Sequence, residues 1–118
     1  MSTLRNWYVY ILYCSDGSLY AGITTDIHRR LLEHNSGVKG ARYTRSRKPV
    51  ELVYLEQVSD RSEASKREYE IKNMPLSRKI SLVLKQLQRE KNDSNDLPDV
   101  SLERINTLKR KFHVQLST

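Results

Sequence analysis

The sequence predicts an α+β fold: a small, mainly antiparallel three-stranded sheet flanked by helices, in the order β-β-α-β-α-α. Two observations carry this. Three runs rich in Tyr, Val, Ile and Leu are short enough to be strands, and the first two are joined by the turn signal Asp16-Gly17. The segments between and after them carry helix start and stop signals, so strands and helices share one core.

Residues 7–14, WYVYILYC, read as the first strand. Gly17 tolerates positive φ at no steric cost, and Leu19–Thr24 returns as the second strand. Thr25 or Asp26 can cap a helix from about Ile27 to Asn35, with Ile27 and Leu31 facing the core and Gly37 as the stop. Ser36–Pro49 reads as a basic loop. Val50–Gln57 alternates as a third strand, with Val50, Leu52 and Tyr54 on one face and Val53 and Leu55 on the other.

Asp60-Arg61-Ser62-Glu63 fits a capping box and predicts a helix to about Asn73, where Met74-Pro75 interrupts it. Another helix starts near Ser77, with Ile80, Leu84 and Leu87 as its stripe and Val83 alongside. The polar run EKNDSNDLPD, residues 90–99, reads as a linker, and Val100–Leu116 as a last helix on Leu102, Ile105 and Leu108. The expected organisation is one domain over residues 1–89, followed by a linker and C-terminal helix over 90–118. That last segment is a candidate for self-association or for docking a protein partner.

The chain has 118 residues and a net charge of +7. Its one cysteine, Cys14, can make no internal disulfide and reads as a small buried hydrophobe. No signal peptide or long apolar run is visible, so the expected compartment is the cytoplasm and no membrane is expected. Between His28 and Lys48 there are seven Lys or Arg residues and one acid, Glu33. Five of the seven lie in Lys39–Lys48, interleaved with Tyr43, Thr44 and Ser46. Lys39, Arg42, Tyr43 and Arg45 are therefore candidates for contacts to phosphate and unstacked bases. A solvated basic surface is the plainer alternative.

Three groups of residues could carry chemistry. Glu68 lies four after Ala64 and three before Ile71, so it should point with them toward the sheet. An inward carboxylate needs a partner: either a nearby Arg or a divalent cation such as Mg²⁺, which commonly takes only one or two protein carboxylates. Arg30 and His34 are i,i+4 and share a helix face, either as exposed polar residues or as phosphate and proton ligands. Four of the seven tyrosines lie between Tyr8 and Tyr20, as strand formers or as reagents.

With Tyr8-Val9-Tyr10, Tyr20-Ala21-Gly22, Arg30 with His34, and Glu68 in SKREYEIK, the chain resembles a GIY-YIG nuclease domain over residues 7–87. GITTDIHRRLLEHNSG, GARYTR and DRSEASKREYEIK are similar to small stand-alone bacterial members. Tyr8 replaces the first Gly and Ala21 the central Ile of the two triplets. The resemblance implies an endonuclease that hydrolyses phosphodiester bonds in DNA with Mg²⁺ or Mn²⁺ held by Glu68. Branched or damaged DNA, in repair or recombination, is the implied class of substrate. Tyr10 becomes the general base, with Tyr20 orienting the water, Arg30 stabilising charge on the phosphate and His34 assisting as a donor. The alternatives are a nucleic-acid-binding module that does not cut and a nuclease directed at RNA.

That mechanism constrains the hairpin. A two-residue loop, Asp16-Gly17, would set Tyr20 opposite Tyr13 and leave Tyr10 on the other face. An odd loop, Asp16-Gly17-Ser18, or a single bulge brings Tyr10 and Tyr20 together.

Overall fold

The tyrosine-rich run forms the centre of the sheet. The structure is a computed structural model that describes residues 6–36 and 39–92. β1 (Trp7–Cys14) pairs antiparallel with β2 (Leu19–Thr24) on one side and with β3 (Val50–Val58) on the other, giving the order β2-β1-β3. The helices are α1 (Ile27–Ser36), α2 (Arg42–Arg45), α3 (Arg61–Lys72) and α4 (Leu76–Asn92). The α+β architecture expected from the sequence is therefore the one observed, with one helical turn, α2, added inside the basic loop.

Helices cover both faces of β1, which is why its residues from Val9 onward are buried without alternation. On one face Val9, Ile11 and Tyr13 pack with Ala64 and Ile71 of α3 and Ile80 and Val83 of α4. On the other, Tyr10, Leu12 and Cys14 pack with Ile27 of α1 and with Val50, Leu52 and Leu55. Each fully buried aliphatic side chain contributes about 1.5–3 kcal/mol, so these two layers supply most of the driving force. Cys14 is the small buried hydrophobe that the sequence suggests.

The hairpin loop has three residues, Ser15-Asp16-Gly17. The Cys14 N–H donates to the Ser18 carbonyl (2.9 Å), and the Gly17 N–H to the Cys14 carbonyl (2.9 Å). Gly17 has φ 87°, which only glycine adopts without strain here. Asp16 Oδ1 accepts from the Ser18 N–H (3.0 Å) and hydroxyl (2.6 Å), fixing the turn. The loop is odd, but it begins one residue earlier than Asp16-Gly17-Ser18. Tyr10 is paired with Gly22 and Leu12 with Tyr20, so Tyr10 and Tyr20 share a face.

β3 departs from simple alternation. A bulge at Val53 of β3, opposite the Ile11–Leu12 step of β1, leaves Leu12 opposite Leu52 but Ile11 opposite Tyr54. The extra residue switches faces from that point: Leu55 joins Val50 and Leu52, and Tyr54 goes to the opposite cluster. The expected grouping of Tyr54 with Val50 and Leu52 is thus corrected. Two amides close the free edge of β3. Asn35 bonds both the N–H and carbonyl of Val50 (2.8 and 3.1 Å), and Gln86 does the same at Leu55 (2.9 and 2.6 Å).

Asp26 caps α1, its Oδ1 accepting from the Arg29 N–H at 3.1 Å. In α3 the Asp60 carboxylate accepts from the Glu63 N–H (2.9 Å), but Glu63 reaches back to Ser59 rather than to the capping residue. α4 starts at Leu76 against the Pro75 carbonyl and continues to Asn92, taking in the first three residues of the linker expected from 90. The stop at Gly37, the side chain of Leu87, the linker beyond Asn92 and the helix over Val100–Leu116 lie outside the described residues.

Candidate active site

The site forms where α1, the basic loop and the β1–β2 ladder meet. Tyr10 projects from β1 onto the α1 face and is buried, and its ring lies over Gly22 directly across the ladder. A Cβ at Gly22 would stand 2.6 Å from Tyr10 Cζ and closer still to its hydroxyl. The final glycine of the Tyr20-Ala21-Gly22 triplet is thus the space the Tyr10 ring needs. Tyr8, two residues back on the same face, packs at the margin of that cluster.

α1 brings polar groups to this phenol. His34 completes the stripe begun by Ile27 and Leu31, and it is wholly buried rather than exposed. Its Nε2 lies 2.9 Å from Tyr10 Oη and its Nδ1 2.7 Å from Thr44 Oγ1. Its ring also meets Tyr10 and Tyr20 edge-on, with centroids 5.8 and 5.5 Å apart. The charge of Arg30, one turn earlier, acts on the Tyr10 phenol. The same guanidinium donates through Nη1 to Glu33 Oε1 (2.9 Å) and to the Lys39 carbonyl (2.7 Å).

Burial pushes the Tyr10 phenol up to about 12, against the opposing pull of Arg30. Burial, helped by the Arg30 charge, holds His34 down to about 4, so its imidazole is neutral at physiological pH.

The basic loop closes the site from above. A Cβ at Gly40 would come within 2.9 Å of the His34 backbone, so a glycine there lets the loop lie directly on α1. Thr44, on α2, is buried against His34 and donates its hydroxyl to the Ala41 carbonyl at 3.0 Å. Tyr43 stacks on Tyr20 (centroids 5.6 Å, 24° between planes), with the Arg47 guanidinium 4.0 Å over the Tyr43 ring. Arg47 is anchored in turn to Asp16 (2.8 Å), tying the loop to the hairpin turn. Lys39, Arg42 and Arg45 line the outside of this loop and form no salt bridge among the described residues.

Glu68 stands at the rim. It does not point inward with Ala64 and Ile71: its side chain is 24% exposed and pairs with Lys72 Nζ at 3.3 Å. Among the described residues no arginine salt-bridges to it. Lys72 Nζ lies 5.7 Å from the centre of the Tyr20 ring, and the Glu68 charge is felt at Tyr10. Among the described residues no three His, Cys, Asp or Glu side chains gather into a metal cage. A single carboxylate does not make a structural zinc site; a divalent cation here would take its other ligands from water and phosphate oxygens and would displace Lys72 from Glu68.

The sequence points to Tyr10, Tyr20, Arg30, His34 and Glu68, and the fold gathers Tyr10, Tyr20, Arg30 and His34 with Glu68 beside them. It does not single out Thr44, Gly40 or Lys72. GARYTR marks the loop, but nothing local signals that Thr44 is buried against His34, ten residues away.

Comparison with known proteins gives the family. The GIY-YIG catalytic domain matches residues 6–80. The UPF0213 protein DP2720 of Desulfotalea psychrophila is 66% identical over 77 residues, covering 65% of this chain and 70% of its own. The UPF0213 protein SSP2268 of Staphylococcus saprophyticus is 51% identical over 76 residues, covering 64% of this chain and 92% of its own. The UPF0213 protein BH0048 of Bacillus halodurans, solved by solution NMR, is 50% identical, with 66% of this chain and 82% of that one covered and a TM-score of 0.44. No helix among the described residues is long and apolar enough to cross a membrane. The chain belongs to the GIY-YIG family of nuclease domains, alongside the small bacterial UPF0213 proteins.

Proposed function

We propose that the chain is an endonuclease that hydrolyses DNA phosphodiester bonds with one divalent cation, Mg²⁺ or Mn²⁺. One observation carries the reading: the buried Tyr10–His34 hydrogen bond, with the Arg30 charge acting on the phenol and Glu68 at the rim. Glu68 would hold the cation, which when bound neutralises phosphate charge and stabilises the leaving oxygen.

Tyr10 alone is a poor base, because burial opposes its phenolate. His34 gives the Tyr10 proton an acceptor, a weak base because burial and the Arg30 charge also oppose its imidazolium. Arg30 can only donate, so the Tyr10 proton has the neutral Nε2 of His34 as its acceptor. As Tyr10 Oη takes a proton from the attacking water, its own proton passes to His34, and no free phenolate is needed. His34 then acts as proton acceptor rather than as donor. Tyr20, held by Tyr43, borders the site where the water would be oriented. Arg30 is positioned to stabilise charge developing on the phosphate once substrate competes with Glu33 for its guanidinium.

Lys39, Arg42 and Arg45 form the proposed nucleic-acid surface, with Tyr43 among them stacked on Tyr20 in support of the site, and the catalytic unit is proposed to lie within residues 1–89. The basic charge of the chain supports contact with a nucleic acid and its family supports a nuclease; branched or damaged DNA, in repair or recombination in the cytoplasm, is the proposed setting. Nicking and cleavage of plasmid, linear, single-stranded and branched DNA with Mg²⁺ or Mn²⁺ test this, wild type against Glu68→Ala. Metal-dependent cutting that Glu68→Ala abolishes is the expected result. Equal binding by both proteins with no cutting of DNA or RNA by either would replace it with the second reading, a binding module. The raised Tyr10 phenol is the observation that favours that reading.

A further inference from the structure

Thr44 belongs to no proposed catalytic step, yet it is wholly buried and polar, and it touches the second nitrogen of His34. A buried hydroxyl has one proton to give, and the direction in which it points decides what its neighbour must do. Here the Ala41 carbonyl receives it at 3.0 Å. That carbonyl also accepts the backbone N–H groups of Thr44 and Arg45 (3.1 Å each), so the turn of α2 itself holds the acceptor in place. With its proton committed, Thr44 Oγ1 faces His34 Nδ1 at 2.7 Å as an acceptor.

We infer that Thr44 is a positioning residue that selects the Nδ1–H tautomer of His34, so that Nε2 is left bare to receive the Tyr10 proton. The inference rests on the proposed nuclease mechanism for its purpose, but not for its geometry. The opposite tautomer would put an N–H at Nε2 facing Tyr10 Oη. The phenolic proton would then lose the imidazole as its acceptor. Along the chain Ala41, Thr44, His34, Tyr10 the placement that suits the Tyr10 proton is therefore the one that Thr44 enforces. In the proton step the Tyr10 O–H bond breaks as the Nε2–H bond forms, and a proton from water replaces the one Tyr10 gave. The His34 Nδ1–H stays on Thr44 throughout. Gly40 and the α2 turn then have a shared purpose, which is to carry Thr44 to His34.

The test is ¹⁵N NMR of the His34 ring in the intact protein, which separates the two tautomers without requiring any cutting. Wild type is expected to show Nδ1–H. Thr44→Val, which keeps the shape and removes the acceptor, is expected to shift His34 toward Nε2–H, and Thr44→Ser to restore Nδ1–H. Tyr10→Phe removes the other end of the chain and should leave Nδ1–H in place. Cleavage by Thr44→Val should fall about 10- to 100-fold, as for other residues that orient a working histidine, and recover in Thr44→Ser. Nε2–H in wild type, an unchanged tautomer in Thr44→Val, or a switch in Tyr10→Phe would each overturn the inference. If Thr44→Val does not fold, the wild-type and Tyr10→Phe spectra still decide it. A correct tautomer pattern in a protein that never cuts would leave the inference standing and remove only the nuclease reading.

Discussion

Tyr10 and Gly22 face each other across the β1–β2 ladder, and the phenol of one occupies the volume that a side chain on the other would fill. The two triplets are therefore one device in which a missing Cβ on β2 seats a ring from β1. Gly22→Ala forces Tyr10 away from His34. Overpacking of this kind costs about 1–3 kcal/mol of stability. Misplacing the reacting hydroxyl by an ångström costs about 100-fold in rate. Denaturant unfolding and plasmid nicking should show both losses, with the loss of rate outlasting any drop in temperature that restores folding.

His34 should leave a signature in the pH dependence of stability. The folded protein resists protonating it until about pH 4, whereas the unfolded chain takes up that proton near the ordinary histidine value of 6.5. Between those values the unfolded state binds more protons, so stability falls as pH falls through this window and the loss levels off below it. The shift corresponds to about 3 kcal/mol in full. His34→Gln should flatten this part of the profile while leaving the contributions of Asp16 and Glu33. If His34 is the proton acceptor, cleavage should also persist well below pH 6.5, where an ordinary histidine would already be charged.

How much of this was legible in the sequence depended on how local each signal was. The strands, the caps at Asp26 and Asp60 and the break at Pro75 are encoded by neighbouring residues, and they appear where the sequence places them to within a residue or two. The faces of Tyr54 and Leu55 were not legible. They depend on a bulge in the pairing with β1, and no residue of β3 announces it. The loop length followed from requiring Tyr10 and Tyr20 to share a face, but its starting residue came from the Asp16–Ser18 bonds and the positive φ of Gly17. His34 illustrates the same limit in the site. Its i,i+4 spacing from Arg30 was visible, but its burial came from a loop folding back over α1.

Glu68 is the position where helical spacing pointed inward and the fold pointed elsewhere, because Ala64 and Ile71 fill the inward stripe and leave the carboxylate beside Lys72. Glu68→Gln should therefore unfold at nearly the same temperature as wild type, since a partly exposed i,i+4 helix pair is worth only about 0.3–0.5 kcal/mol. Cleavage with Mg²⁺ or Mn²⁺ should drop by about 100-fold or more, because the loss falls on transition-state charge. Chelation of the metal should bring wild type to the same low rate and leave DNA binding intact.

The basic surface can be tested by salt. Replacing Lys39, Arg42 and Arg45 together by Ala should weaken binding to all DNA sequences alike. The dependence of log affinity on log salt should become shallower by about 0.9 for each phosphate no longer neutralised, or by about 3 in all. An unchanged slope would move the phosphate-binding face elsewhere on the domain.

Tyr43 separates two functions that its place in the basic loop would merge. A free aromatic ring beside exposed arginines suggests base stacking, and removing such a stack costs about 1–3 kcal/mol of binding. In the structure that ring is already engaged by Tyr20 and Arg47, and through Tyr20 it borders the edge of His34. Tyr43→Ala should therefore leave DNA affinity within about twofold of wild type and lower kcat about tenfold, as expected when a catalytic neighbour loses its support. Tyr43→Phe, which keeps the stack, should cut normally. Measuring affinity and single-turnover rate on the same DNA distinguishes the cases: a fall in affinity with the rate preserved would return Tyr43 to the substrate, and a fall in rate alone assigns it to Tyr20.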